Sequence, residues 1–194
     1  MRKFVVSLLL AGTIASPAFA QEARPFEGPR VEGIIGWDRV GVEDAGSADG
    51  VTYGAAIGYD LQRGNGVFGV EAEITDSSAD ECTSGVLIAT DELCAQAGRD
   101  IYVGARAGFT ATPNLLLYAK AGYTNGRVRL AYEDGTAATA PDFRIGENLD
   151  GFRLGAGAEY ALSQNAFIKA EYRYSNYEQG FDRNQVVAGF GFRF

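Results

Sequence analysis

The chain has 194 residues, enough for one domain with a substantial interior. It carries 17 basic and 25 acidic residues, for a formal net charge of −8, and this acidic balance argues against a nucleic-acid partner. It contains no histidine, which removes the usual general base and the commonest metal ligand. The composition therefore argues against an enzyme and against a metal or other cofactor site.

The amino-terminal stretch predicts a cleavable secretory signal. A basic start at Arg2 and Lys3 precedes an apolar run, and the run is followed by an AFA ending with small residues where a signal peptidase needs them. The run is shorter than the about 20 apolar residues that a membrane-spanning helix requires. The expected division is a signal at residues 1–20, a flexible periplasmic lead-in at 21–29 and one domain at 30–194.

Beyond the signal, eight segments place apolar side chains at every second position. In each segment one face is apolar and aromatic, and the other consists of Gly, Thr or charged residues. A period of two predicts β-strands, and no stretch shows a convincing helical period. The expected strands lie near residues 30–40, 51–61, 68–75, 100–109, 115–124, 152–160, 168–175 and 185–194.

The connections between these strands alternate between two kinds. Short turns (QRGNG, TPN and SQN) alternate with longer polar segments such as VEDAGSADG and NYEQGFDRN. An even number of strands with turns at one end and loops at the other is typical of outer-membrane barrels. A soluble sandwich has no reason to keep this asymmetry.

The two cysteines, Cys82 and Cys94, both lie in the second long segment. In an exported chain the oxidising compartment favours a disulfide between them. The alternative is two free thiols in a loop.

A soluble barrel and a membrane barrel differ in which face of the wall is apolar. A soluble barrel, the alternative, buries its apolar row, whereas a membrane barrel turns that row to lipid. Here the apolar rows carry Tyr, Phe and Trp toward strand ends, as in aromatic girdles, and the polar rows mix glycines with both charge signs, which suits a narrow interior. We therefore predict an all-β fold, an eight-stranded antiparallel up-and-down transmembrane β-barrel with short periplasmic turns and long extracellular loops.

Ten charged side chains on the polar rows are expected to face the lumen. Charges in a narrow interior are costly unless paired, so a salt-bridge network that fills the barrel is the favoured interpretation. The alternative is a constricted, gated conduit. The ten residues are Glu71, Glu73, Arg106, Lys120, Arg153, Glu159, Lys169, Glu171, Arg173 and Arg193.

The order of the segments GPRVEGIIGWD, AGYT, GAGAEYAL, EYRYSNY and VVAGFGFRF resembles the outer-membrane β-barrel family of Gram-negative bacteria. That family includes the transmembrane domain of outer-membrane protein A, small surface antigens and opacity-type porins. The resemblance implies a monomer in the cell outer membrane, in contact with membrane lipid and lipopolysaccharide. It also implies insertion by the barrel-assembly machinery, with Phe190, Phe192 and Phe194 as the assembly signal on the last strand.

Two functions follow as expectations. The first is a structural and surface-interaction role, in envelope integrity and in loop-mediated recognition of an unidentified ligand. The alternative is a narrow, porin-like channel for ions or small solutes, although eight strands leave room for little more than side chains. No catalytic or metal-binding residue is expected.

Overall fold

The computed structural model describes residues 25–42, 46–78, 80–84, 92–133 and 143–194. Within these ranges the chain is almost entirely β-strand, with one short 3-10 turn at Glu178–Gly180 and no helix long and apolar enough to cross a membrane. The expected signal at residues 1–20 lies outside them. The strands are β1 (Gly28–Val42), β2 (Gly46–Arg63), β3 (Gly66–Ser77), β4 (Asp80–Ser84), β5 (Glu92–Thr112), β6 (Leu115–Glu133), β7 (Phe143–Ala161), β8 (Ala166–Tyr177) and β9 (Phe181–Arg193).

The strands form one closed antiparallel sheet. Its order is β3-β2-β1-β9-β8-β7-β6-β5-β4, and β3 also pairs with β5. Strand β3 pairs along residues 100–109 of β5, and the short β4 pairs along residues 92–96. Because β3 and β4 occupy one position in the wall, the barrel has eight strand positions, as predicted.

One end of the barrel, the turn end, carries the short connections at residues 64–65, 113–114 and 162–165. At the other end, the loop end, the strands run further than predicted. Strand β5 begins at Glu92, β6 ends at Glu133 and β7 begins at Phe143, so much of the expected long loops is strand. The apolar outward row ends there because the strands have left the hydrocarbon, so the feature that predicted them is missing.

The apolar rows point outward. The exposed fractions of Ile57, Val103 and Leu154 are 61%, 55% and 50%. The alternative of a soluble barrel with these side chains at its centre is therefore wrong. The apolar residues of the outward rows together form an apolar band around the barrel. Toward the loop end each outward row changes to polar residues, which mark the edge of this band. These polar residues are Arg39, Asp49, Asp76, Arg99, Asn125, Asp150, Asn176 and Asn184.

The prediction of a flexible lead-in is wrong for residues 25–29. Strand β1 begins at Gly28, and Phe26 is fully buried. Gly28 has a φ of 118°, which side-chain-bearing residues avoid, and a Cβ there would lie 2.4 Å from the Phe194 carbonyl oxygen. This backbone conformation lets the chain turn from β1 back beneath the barrel.

The barrel lumen as candidate functional site

The lumen holds a balanced set of charges. Among the described residues, sixteen buried side chains are charged, eight of them basic and eight acidic. An equal number of each sign is the condition under which charges can leave water together. The basic members are Arg30, Arg106, Lys120, Arg153, Lys169, Arg173, Arg183 and Arg193, and the acidic members are Glu32, Asp38, Asp60, Glu71, Glu73, Asp100, Glu159 and Glu171.

Near the turn end, Asp60 forms ion pairs with three guanidinium groups. Its Oδ2 lies 3.1 Å from Arg30 Nε, 2.5 Å from Arg106 Nη2 and 2.9 Å from Arg193 Nη2. Two of these, Arg106 and Arg193, also reach the oxygens of Glu159, both at 2.9 Å. Five strands, β1, β2, β5, β7 and β9, are thereby tied together across the lumen.

At mid-height the ion pairs join strands that are not adjacent in the sheet. Arg30 contacts Glu71, whose Oε1 lies 2.7 Å from Lys120 Nζ. The same ammonium lies 2.8 Å from Glu171 Oε1, and Lys169 approaches the other oxygen of Glu171 at 3.6 Å. None of these five side chains is more than 4% exposed, so each charge depends on its partners rather than on water.

Toward the loop end, Arg153 continues the chain of contacts. It lies 3.1 Å from Glu73 Oε1 and 2.5 Å from Asp100 Oδ2. Asp100 is shared with Arg183 at 3.1 Å, and Arg183 Nε donates to Asp38 Oδ1 at 2.8 Å. These contacts extend the network to the loop-end mouth.

Two further members complete the network. Glu32 Oε1 lies 2.5 Å from Lys169 Nζ, and Arg173 Nη1 lies 2.5 Å from Glu73 Oε1. All sixteen side chains thus belong to one connected set of ion pairs that runs from the turn end to the loop end.

Aromatic side chains fill the space between the charges. The Tyr102 ring lies beneath Lys120 Nζ at 4.7 Å and beneath Arg153 at 5.2 Å, both within cation–π range. This ring needs room that only glycine leaves, because a Cβ on Gly104 would lie 2.0 Å from the Tyr102 hydroxyl. Tyr118 donates a hydrogen bond to Glu171 Oε2 at 2.6 Å.

The structure places all ten predicted charged residues inside the barrel and in ion pairs. Six members were missed. Five of them lie on rows that the sequence already marks as polar, namely Arg30, Glu32, Asp38, Asp60 and Asp100. The sixth, Arg183, falls in a segment predicted to be a loop, and the alternation of Arg183 with Gln185 and Val187 on the inner face was the available signal.

Some buried polar atoms in the lumen have no hydrogen-bond partner in the protein. Both amide atoms of Gln185, Glu73 Oε2 and Arg173 Nη2 are buried without a hydrogen bond. Gln185 and Arg173 are cross-strand partners on β9 and β8. Buried groups of this kind are usually satisfied by ordered water, so this level of the lumen is suited to hold water molecules.

On the outer face at the loop end, charged side chains are exposed. Arg39 Nε donates to Asp49 Oδ1 at 2.8 Å, with the two side chains 58% and 38% exposed. This hydrogen bond lowers the pKa of Asp49 below its ordinary value. Likewise, hydrogen bonds from Tyr123 and Asn125 lower the pKa of Asp150.

The two cysteines face each other in register, Cys82 on β4 and Cys94 on β5. Their side chains lie outside the described residues, so the disulfide stays a prediction. The three phenylalanines of the expected assembly signal point outward from the last strand. Phe190, Phe192 and Phe194 are 49%, 47% and 73% exposed, and the first two rings meet edge to face at 5.1 Å.

A sequence model described as "Outer membrane protein beta-barrel domain" matches residues 6–194. The 31 kDa outer-membrane immunogenic protein of Brucella melitensis biotype 1 is 34% identical over 135 residues, which cover 67% of this chain and 55% of that protein. The chain thus spans little more than half the length of this relative. The 22 kDa outer membrane protein of Rhizobium leguminosarum bv. viciae is 30% identical over 167 residues, covering 78% of this chain and 71% of the relative.

A solved structure shares the architecture. Neisserial surface protein A superimposes with a TM-score of 0.59 at 17% identity, over 86% of this chain and 97% of that one. At this identity the likeness concerns the fold alone.

Proposed function

The chain belongs to the outer membrane protein beta-barrel family, and from that premise we propose that it is a closed barrel whose role is structural and surface-interactive. The barrel is located in the outer membrane, where it anchors the segments at its loop end. In this proposal it contributes to envelope integrity and presents a recognition surface.

The observation that carries the proposal is the filled lumen. Sixteen buried charged side chains form one connected, balanced network, and an eight-stranded barrel has no width to spare around them. Opening an aqueous path would require several buried pairs to separate together. A rigid pillar is the function that such an interior supports best.

Planar-bilayer recording of the refolded protein tests this. We expect no steady single-channel openings above background, because no continuous water path crosses the network. Refolding is verified by heat-modifiable mobility on a gel. Reproducible unitary currents from heat-modifiable protein would contradict the proposal.

A second candidate function is a narrow ion path. The atoms of Gln185 and Arg173 that lack hydrogen-bond partners favour it. Water bound at that level would reduce the length of lumen that an ion has to cross without water. Under this alternative, E73Q, which weakens the contacts to Arg153 and Arg173, would raise the open probability. Under a pillar role E73Q would lower stability and leave the bilayer silent.

The loop end supplies the proposed recognition surface. The segments 39–50, 76–99, 125–150 and 176–184 contain fifteen acidic residues against five basic ones when the inward Arg183 is left out. We expect a ligand of positive charge, or lipopolysaccharide bridged by divalent cations, at this end. Binding of a fluorescent oligo-lysine peptide to the refolded barrel, and its weakening by salt, would measure this preference.

The direct register of Cys82 and Cys94 supports a cross-strand disulfide at the loop end. Alkylation of the folded protein without reductant, followed by mass spectrometry, tests it. Protection of both thiols is expected, and labelling of both would contradict the proposal. The matched variant C82S should expose Cys94 to the reagent.

We also propose that the outward Phe190, Phe192 and Phe194 serve as the signal read by the barrel-assembly machinery, and that the barrel is inserted as a monomer. Replacing Phe192 with Ala should lower insertion into the outer membrane in cells while leaving spontaneous refolding in detergent unchanged. Equal losses in both assays would show that the ring acts only in stability.

A further inference from the structure

The turn-end mouth of the lumen is closed by apolar side chains rather than by charges. Phe26, Val67, Leu116 and Ala161 pack in one cluster with Tyr118, and the first three are at most 1% exposed. These residues come from the segment before β1 and from β3, β6 and β7. This mouth cluster lies between the turn-end solvent and the first charges of the network.

Phe26 is the member of the cluster that no strand of the wall supplies. Its N–H donates to Gln62 Oε1 at 3.3 Å, and the preceding Pro25 carbonyl accepts from Arg193 Nη1 at 2.9 Å. The Arg193 guanidinium also lies 5.7 Å from the centre of the Phe26 ring and 5.1 Å from that of Phe167. The guanidinium of Arg193 therefore both holds the segment and belongs to the ionic network.

We propose that residues 25–28, here called the cork, seal the turn-end mouth of the barrel and exclude water and small solutes from the ionic network. The positive φ of Gly28 turns the cork under the wall, and Phe26 fills the opening. The contacts of the cork come from β2, β3, β6, β7 and β9. Because these strands lie on different sides of the wall, the cork gains all of these contacts only after the barrel has closed.

The sealing role is separate from any role of the loop end. It concerns the opposite mouth and rests on the family's barrel architecture, not on the proposed recognition surface. A failure of one does not imply a failure of the other.

The lysines of the chain make the seal measurable. The sequence has three, Lys3 in the predicted signal and Lys120 and Lys169 in the lumen, where they are 3% and 4% exposed. Folded protein in detergent is treated with a water-soluble amine-reactive reagent, and labelled peptides are quantified by mass spectrometry. In the wild type we expect both lumenal lysines to be protected.

The test variant is F26A, which removes the ring from the mouth. Labelling at Lys169, which lies close to the start of β8, should rise on the order of tenfold or more, because reaching it no longer requires local opening of the barrel. The matched control is F68A. Phe68 is 57% exposed on the outer face beside Val67, so its removal should leave Lys169 protected. If F26A stays folded and is labelled no more than F68A, the cork does not seal the mouth.

A second variant keeps an aromatic ring at the site and so preserves folding. F26W in a W37F background carries the one tryptophan of the chain at the mouth, since Trp37 is the natural one. We expect blue-shifted emission that acrylamide quenches poorly in the folded state and freely after boiling. Free quenching in the folded, heat-modifiable form would overturn the proposal, because residue 26 would then lie in solvent.

Discussion

The inner and outer faces of the barrel wall carry the same kind of charge pair under opposite conditions. Inside, Arg153 and Glu73 lie 3.1 Å apart with side chains 0% and 1% exposed. Outside, Arg39 and Asp49 lie 2.8 Å apart with side chains 58% and 38% exposed. Only the second pair is open to bulk water, which can take the place of a lost partner. The difference teaches that burial, not distance, decides what an ion pair contributes here.

Removing one cation from each face should give the largest contrast. R153M leaves Glu73 and Asp100 short of a buried partner and should lower the free energy of unfolding by about 3–5 kcal/mol. R39M should change it too little to detect, because its partner is hydrated. Urea unfolding of both variants in lipid vesicles measures the difference. Equal losses would show that the lumen is far more hydrated than its burial implies.

A charge placed on the outer face tests whether that face of the wall contacts hydrocarbon. Ala105 and Thr112 both lie exposed on β5, the first within the apolar band and the second at its turn end. A105R should cost about 2–4 kcal/mol and T112R about 0–1 kcal/mol, following the depth dependence for lipid-facing arginines. The same unfolding assay applies. A cost independent of depth would mean that the outer row does not face hydrocarbon.

Adding a single methyl group distinguishes the faces by packing alone. On Gly54 a Cβ would lie 2.1 Å from the Ile74 carbonyl oxygen, whereas on Gly33 it would meet nothing within 4 Å. G54A should therefore destabilise the barrel by about 1–3 kcal/mol through overpacking. G33A should stay within about 1 kcal/mol of the wild type. The temperature at which the heat-modifiable gel band shifts ranks the two variants, and a reversed order would count against this assignment of faces.

The smallest effect belongs to the exposed pair at the loop end. The hydrogen bond from Arg39 holds the pKa of Asp49 below its ordinary value, so its stabilising contribution is present above the unfolded-state pKa and is lost as pH falls through the lower, folded-state pKa. Wild-type unfolding should converge with that of D49N on acidification to about pH 3, below the ordinary aspartate value. A gap between the two that widens toward acid would contradict this sign.

Much of the wall was predictable because hydrocarbon imposes a strict period of two on both faces. Strand β2 is the clearest case, with Val51, Tyr53, Ala55 and Ile57 outward and the small residues Thr52, Gly54 and Ala56 between them. The ten charges predicted for the lumen could be assigned for the same reason. Where the strands leave the apolar band, as β6 does beyond Asn125, the outward row is no longer apolar, and the feature that marked the wall in the sequence is lost.

Two features of the lumen could not be read from the pattern. Phe26 stands alone between Pro25 and Glu27, with no periodic neighbours to indicate which way it faces. Its burial follows from the turn at Gly28 and from contacts to distant strands, which local sequence does not encode. The sharing of Asp60 by three arginines is equally a property of the closed tube, since those residues are 30 to 133 positions away in the chain.

The balance of the lumen has a consequence for the neighbourhood of the barrel. Because the interior carries no excess charge, the surplus of acidic over basic residues in the segments at the loop end stands uncompensated on one side of the membrane. Copies crowded in the same membrane would repel one another through their acidic loop ends at low ionic strength. Magnesium or calcium would relieve the repulsion, so the distance between neighbouring barrels in the membrane should decrease as divalent salt is added.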